Sequence, residues 1–235
     1  MGVAVYAVHG REFITAKLAF EHFNIGVVGS VWLVPLVNPD GALLSQTGLL
    51  SAPKYEWERL LRLNGGNTDF SLWKANGKGV DINVNFDADW GKGKSNAFIA
   101  GAENYVGEAP FSAEESNALK EFTRGIFPDY TLSYHTKGEE IYWYFGQAGE
   151  QKIRDEALAK SLSKATSYPL KKTFGSVGGY KDWCIQALKI PAFTIEAGRD
   201  SWMHPLGDKA LLEIKEKNKF ALRNLSQAVS ERNRQ

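Results

Sequence analysis

The chain has 235 residues, with 28 lysines and arginines against 27 aspartates and glutamates, so its net charge is +1. A chain of this length can bury the core of one sizeable α/β domain, and we expect a single domain over residues 1–235. The near-neutral charge argues against a surface for nucleic acid or for a membrane, which would need a basic excess. The one cysteine, Cys184, excludes an internal disulfide and a cysteine-based zinc site, and its helix-like context predicts a core position.

The N-terminus shows no targeting pattern. It has no basic flank, no long apolar run and no small-residue cleavage site, and no apolar run elsewhere approaches the roughly 18 residues of a membrane span. We therefore expect a cytoplasmic protein, or a secreted one if upstream sequence has been removed.

Apolar strands and amphipathic helices alternate in the first half of the chain. Val3–Val8 predicts a buried strand, and residues 13–23 have the spacing of a helix, with His22 expected near its exposed end. The apolar stretch "SVWLVPLV" predicts a second strand, and "NPDG" after it has the composition of a turn. A short helix follows in "YEWERLLRL". Residues 64–101 lack periodicity and predict a long loop, which in a compact domain is usually functional.

The second half repeats the alternation. "FSAEESNALKEFTRGI" predicts a helix with a capping box formed by Ser112 and Glu115. "DYTLSYH" predicts a strand ending at His135, "EIYWYFG" a further strand, and "IRDEALAKSLSKAT" a helix. "GSVGGYKDWCIQAL" predicts a glycine-rich loop leading into a helix, "PAFTIEAG" a strand ending at Glu196, and the residues from Asp208 a charged helix. The expected fold is α/β, a twisted, mixed but largely parallel sheet with helices on both faces.

Four acid–base side chains fall at the ends of predicted strands. They are His9 with Glu12, His135 and Glu196. Strand ends of an open α/β sheet are where ligands bind, and two histidines with one carboxylate form the three-ligand set of a catalytic zinc. A fourth acid, Glu196, is then the candidate general base for a water at the metal. A His-x-x-Glu pair also occurs by chance, so these residues alone do not decide.

Six segments extend this pattern over nearly the whole chain. In order they are "VHGREFITAKL", "VNPDG", "GVDINVNFD", "SYHTKGEEIYW", "GSVGGYKDW" and "FTIEAG". Together they resemble the zinc carboxypeptidase family, and most closely its bacterial branch of γ-D-glutamyl-meso-diaminopimelate peptidases. The resemblance runs from Val3 to Leu206, and the 135 − 12 = 123 residues from Glu12 to His135 suit the family's spacing.

The resemblance implies one zinc ion and a role for each matching residue. His9, Glu12 and His135 correspond to the zinc ligands, and Glu196 to the base that activates the attacking water. The family's arginine for the oxyanion falls on Lys74. Lys78 is a second cation close by in the sequence, and which of the two lysines serves is open.

The substrate residues depart from the family in one informative place. Asn83 corresponds to the family's ligand for a terminal carboxylate, but the arginine expected next to it is Val84. Loss of a bidentate arginine argues against an ordinary carboxypeptidase and fits a diaminopimelate peptide. The family's active-site tyrosine falls near Phe174. Tyr180 and Lys181, in the following loop, are candidates for substrate contact, with structural roles equally open.

The sequence therefore predicts a zinc metallopeptidase that hydrolyses bacterial cell-wall peptides at the γ-D-glutamyl–meso-diaminopimelate bond, with a muropeptide stem peptide as substrate. The alternatives are a metallocarboxypeptidase for ordinary peptides and a non-catalytic module that binds peptidoglycan peptides. His204 is expected in a surface loop, and Trp73 and Trp90 are candidates for cleft walls. The family has strand and helix sequence before its His-x-x-Glu strand, so we expect a minimal branch or a missing N-terminal segment, with one open sheet edge. The oligomeric state is not determined.

Overall fold

One six-stranded sheet forms the centre of the molecule in the computed structural model, which describes residues 1–172 and 175–234. Its spatial order is β2-β1-β3-β6-β4-β5, and all the described pairs are parallel except β4 with β6. The strands are β1 (Gly2–Tyr6), β2 (Val31–Val34), β3 (Tyr130–His135), β4 (Glu140–Tyr142), β5 (Leu170–Lys171) and β6 (Ala192–Glu196). Within the described residues, β2 lies at one edge of the sheet and β5 at the other.

Helices cover both faces of this sheet. They are α1 (Ile14–Phe23), α2 (Pro39–Thr47), α3 (Trp57–Leu63), α4 (Glu114–Ile126), α5 (Gly149–Thr166), α6 (Tyr180–Gln186), α7 (Asp208–Asn218) and α8 (Ala221–Arg232). Successive residues of a strand point to opposite faces, so Ala4 and Tyr6 pack with α1, α5, α7 and α8, whereas Val3 and Val5 pack with α4 and α6. The predicted α/β fold is confirmed. No helix in the described part of the chain is long and apolar enough to cross a bilayer.

The "NPDG" segment begins a helix, so the prediction of a turn there is wrong. Asn38 caps α2 by accepting a hydrogen bond from the Gly41 N–H at 2.9 Å, and Pro39 occupies the first helical position, where its missing N–H costs nothing. The same residue types favour turns and helix starts, which is why composition alone did not separate them.

The capping box predicted at the start of α4 is absent. The helix begins after Ala113 with no side-chain cap. The Ser112 hydroxyl instead accepts from Asn85 Nδ2 at 3.0 Å, and Glu115 accepts from Asn76 Nδ2 at 2.9 Å. Both side chains tie the helix to the long loop before it, which forms one short 3₁₀ turn, Ile82–Val84, in its middle.

Two further details of the chain differ from expectation. The C-terminal segment forms α7 and α8 instead of one helix. His22 is buried, because its Nδ1 lies 2.7 Å from the Tyr6 hydroxyl and its Nε2 lies 3.1 Å from the carbonyl oxygen of Asn218. Burial lowers the pKa of His22 to about 4, so this imidazole is a neutral structural group.

Candidate active site

Two histidines and a glutamate converge where β1 and β3 end. A 3₁₀ turn, Gly10–Glu12, follows His9 and brings the Glu12 carboxylate back to it, with Oε1 2.9 Å from His9 Nδ1. His135, the last residue of β3, places its Nδ1 3.0 Å from Glu12 Oε2 and 3.1 Å from His9 Nδ1. All three side chains are at most 5 % exposed. The predicted ligand residues therefore lie together, although 123 residues separate two of them.

The turn that carries Glu12 requires a glycine. A Cβ on Gly10 would lie 2.4 Å from the carbonyl oxygen of Gly41, in the first turn of α2. The Gly10 N–H also donates to the Lys74 carbonyl at 3.0 Å. The glycine thus lets α2 and the long loop pack directly against the backbone that presents the three donors.

The chemistry of these donors fits a zinc ion. Two imidazole Nδ1 atoms and a carboxylate face one another in a buried space, and all lie within 4.8 Å of one another. These groups are mostly hydrogen-bond acceptors, so hydrogen bonds among them do not account well for their close approach. Ligand atoms that share one Zn²⁺ at about 2.0–2.2 Å stand roughly 3 Å apart, which matches the spacing of these atoms. Burial raises the pKa of Glu12, but His9 and His135 outweigh it and hold that pKa well below its usual range. Glu12 is therefore ionised, as a ligand must be.

Asp81 stands behind the donors and was not singled out from the sequence. Its buried carboxylate lies 3.3 Å from His9 Nε2 through Oδ1 and 2.8 Å from Lys74 Nζ through Oδ2. It also accepts the backbone N–H groups of Asn83 and Asn104, each at 3.1 Å. A carboxylate on the far nitrogen of a ligating histidine fixes the ring and its tautomer and leaves Nδ1 free for the metal.

The two candidate lysines for the oxyanion have different surroundings. Lys74 is mostly buried, with its Nζ held between Asp81 and Asn104 Oδ1 at 3.3 Å. Burial lowers the pKa of Lys74, but Asp81 and Glu12 together raise it above its usual value, so the charge is kept. Lys78 is exposed and pairs with Glu114 of α4 at 2.7 Å. The structure brings Lys74, and not Lys78, to the donors.

Glu196 ends β6 directly opposite His135 in the parallel register. Its carboxyl is partly buried, and burial raises its pKa to about 7; Glu12 and Glu140 act in the same direction, whereas His135 and Lys74 oppose them. A carboxylate with a pKa near neutrality can both accept and return a proton. Its register places it next to one of the three donors, His135, and its role as the general base stays a prediction.

A polar cavity of about 280 Å³ opens beside Glu196. Its walls include Asn83, Tyr142, Ser176, Lys181, Asp182 and Glu196. Lys181 is 7 % exposed; its Nζ donates to the adjacent Asp182 carboxylate and, at 3.4 Å, to the Tyr144 carbonyl. Two predicted substrate residues, Asn83 and Lys181, therefore line one cavity.

Tyr180 does not reach this cavity. It is fully buried in the core beneath the sheet, where its hydroxyl lies 2.8 Å from that of Thr123. The seven-residue helix α6 turns Lys181 to the cavity and Tyr180 to the core, so the structure gives Tyr180 a packing role. Phe174, where the family tyrosine was expected, lies outside the described residues.

The sequence profile of the zinc carboxypeptidase family matches residues 29–221 of this chain. The chain belongs to the zinc carboxypeptidase family.

Similar proteins agree with this assignment. The chain is 34 % identical over 177 residues to Gamma-D-glutamyl-L-diamino acid endopeptidase 1 of Lysinibacillus sphaericus, covering 75 % of this chain and 44 % of that protein. It therefore spans less than half the length of this curated relative.

Among solved structures, bovine thrombin-activatable fibrinolysis inhibitor matches with a TM-score of 0.71 at 18 % identity, over 99 % of this chain and 82 % of the other. Murein-tripeptide amidase MpaA of Escherichia coli O157 matches with a TM-score of 0.59 at 23 % identity, over 96 % and 80 %. These two likenesses show the shared fold.

The remaining candidates of this zinc carboxypeptidase site are placed as follows. His204 lies in the loop between β6 and α7, as expected, but it is half-buried there, and burial lowers its pKa. Trp73 is buried against Phe70, and the Trp90 Nε1 donates to the Val106 carbonyl. Neither tryptophan lines the cavity beside Glu196.

Proposed function

We propose that this chain is the catalytic domain of a zinc peptidase that hydrolyses the bond between γ-D-glutamate and meso-diaminopimelate in bacterial cell-wall stem peptides. The observation that carries the proposal is the convergence of His9, Glu12 and His135, with His135 directly opposite Glu196, which lines a polar cavity. Membership of the family supports the zinc chemistry. The name of the similar endopeptidase supports the class of bond.

Each residue near the donors has a task in this reaction. His9 and His135, through Nδ1, and Glu12, through its carboxylate, would hold one Zn²⁺. When bound, zinc polarises the scissile carbonyl and lowers the pKa of a water molecule at the metal. Glu196 accepts the proton of the attacking water and passes it to the leaving amine. Lys74 supplies positive charge near the developing oxyanion, and Asp81 holds both Lys74 and His9 in place.

The cavity favours a leaving residue that has its own charged side chain. Val84 stands where the family usually has an arginine, so a plain terminal carboxylate finds Asn83 without the bidentate partner. Lys181 supplies a buried cation on the cavity wall instead. Diaminopimelate carries a second carboxylate at the far end of its side chain, and we assign Lys181 to that group.

The test is hydrolysis of a panel of muropeptides and plain peptides by the zinc-loaded protein, with products identified by mass. We expect release of diaminopimelate-containing products from γ-D-glutamyl substrates, and loss of that activity with a chelator. Preferred release of C-terminal residues from plain peptides would indicate a carboxypeptidase. A protein that binds muropeptides without hydrolysing them, with or without zinc, would be a binding module.

A further inference from the structure

Strand β4 places a further acid, Glu140, beside the cavity. It runs antiparallel to β6, with Glu140 directly opposite Glu196 and Tyr142 directly opposite Thr194. Opposed residues, and residues two apart in a strand, share one face of a sheet. Because Tyr142, Thr194 and Glu196 all line the cavity, Glu140 lies on the cavity face as well.

The two opposed carboxylates are incompletely compensated. Residues directly opposite in an antiparallel pair have Cβ atoms about 4.5–5.5 Å apart, and like charges there are destabilising. The Tyr142 hydroxyl donates to Glu140 Oε2 at 2.7 Å, and Lys171 Nζ lies 3.4 Å from Oε1 with its side chain about half exposed. The antiparallel register puts the Glu140 carboxylate close enough to raise the pKa of Glu196, in the same direction as the larger effect of burial. A cation placed between them would relieve this repulsion.

The cavity therefore has charges of opposite sign on different sides. Lys181 of α6, paired with the neighbouring Asp182, supplies the positive charge on the cavity wall. Glu140, oriented by Tyr142, supplies a negative charge from β4, on the face of the sheet that borders the cavity. A side chain that ends in both a carboxylate and an ammonium complements this arrangement. A side chain that has only the carboxylate offers no partner to Glu140, and one that has only the ammonium offers none to Lys181.

We propose that Glu140, held by Tyr142, recognises an ammonium group on the side chain of the leaving residue. The proposal rests on the function proposed above and extends it. Lys181 and Asn83 bind carboxylates, whereas the Glu140–Tyr142 pair binds the amine of the second diaminopimelate centre. Glu140 is a specificity-determining residue, and Tyr142 is a positioning residue that acts through it.

The experiment compares two γ-D-glutamyl substrates with the same scissile bond. One has meso-diaminopimelate after the bond; the other has L-2-aminopimelate, which keeps the distal carboxylate but lacks the distal amine. We expect kcat/KM of the native protein to favour diaminopimelate by about tenfold, the size typical of a partly exposed charge pair. Glu140→Gln should bring the ratio near one, and Tyr142→Phe should bring it part of the way. Glu231→Gln, which removes an exposed acid from α8, should leave it unchanged.

The ratio separates recognition from catalysis. Glu140→Gln also changes the electrostatic surroundings of Glu196, but that effect acts on both substrates and cancels. A second measurement uses Glu196→Gln, which lacks the base, to determine Kd for both peptides by calorimetry, with and without Glu140→Gln. The same loss of discrimination is expected there.

Three results distinguish the proposals. Equal kcat/KM for the two substrates, or a ratio that Glu140→Gln does not change, would overturn the role of Glu140 and leave the peptidase intact. Binding that discriminates through Glu140, without hydrolysis, would support Glu140 and overturn the proposed activity. Neither binding nor hydrolysis of either peptide would overturn both.

Discussion

The metal side and the cavity side of this site are built from different parts of the fold. On the metal side, His9, Glu12 and His135 lie at the ends of β1 and β3, neighbours in the middle of the sheet, and all are buried. The cavity side combines the end of β6 with a 3₁₀ turn, the three-residue strand β4 and the start of a short helix. The metal chemistry is thus fixed by buried strands in the middle of the sheet. The choice of substrate depends more on shorter elements, which can change without disturbing the metal ligands. Substitutions should separate the two.

The largest effect is expected at a metal ligand. His135→Ala removes one of three ligands and leaves the buried Glu12 carboxylate with one imidazole partner, His9, instead of two, so zinc binding and hydrolysis should both be lost. Lys181→Met, on the cavity side, should keep the zinc. Metal content after dialysis, measured by mass spectrometry on both variants, checks this. Retention of zinc by the histidine variant at the native level would remove His135 from the ligand set.

The next effect separates the base from the ligands. Glu196→Gln keeps the shape of the side chain but cannot accept a proton, so kcat should fall by roughly 10²–10⁴, the usual range for a general base. Zinc content should not change, because Glu196 is not among the three converging donors. A kcat near the native value would refute its assignment as the base.

The third effect distinguishes two lysines that lie four residues apart in sequence. Lys74→Met should lower kcat/KM by about 10²-fold, the size expected when one oxyanion-stabilising group is removed. Lys78→Met should change it less than about twofold, because its exposed pair with Glu114 lies outside the site. Steady-state kinetics on the two variants, with zinc content as the control, decides between them. Equal losses of kcat/KM in the two variants would contradict the assignment of the oxyanion role to Lys74 alone.

The smallest effect concerns Val84, next to Asn83. Val84→Arg restores the family's cation and should shift preference towards ordinary C-termini by about tenfold, or about 1.4 kcal/mol. The measurement is kcat/KM for γ-D-glutamyl-diaminopimelate and γ-D-glutamyl-L-lysine on both proteins. Equal values for the native protein would remove the preference for diaminopimelate and leave a less selective peptidase.

The metal side could be located from the sequence because its residues follow apolar strands. Val3–Val8 and "DYTLSYH" predict buried strands, and parallel strands bring their carboxyl ends to one edge. His9 and His135 were thereby expected together. Asp81 was missed, although it sits in the apolar context of "GVDIN", because no periodicity in that loop shows which side chain turns inward.

The cavity side was predicted less completely, for physical reasons. Lys78 was a candidate by proximity in sequence, but its partner Glu114 is 36 residues away and draws it to the surface. The direction of Tyr180 depends on where a short helix starts, and a shift of one residue changes the face to which it points. Glu140 and Tyr142 were not singled out, because the antiparallel pairing that turns them to the cavity does not follow from the strand pattern.

The antiparallel placement of β4 has a consequence for the chemical form of the peptide that the proposed activity would use. The distal amine of diaminopimelate is a group that can be acylated, as it would be in a cross-link to a second peptide. Once acylated, that nitrogen carries no charge and offers Glu140 no ammonium. It follows from the proposed role of Glu140 that this cavity selects against cross-linked peptides.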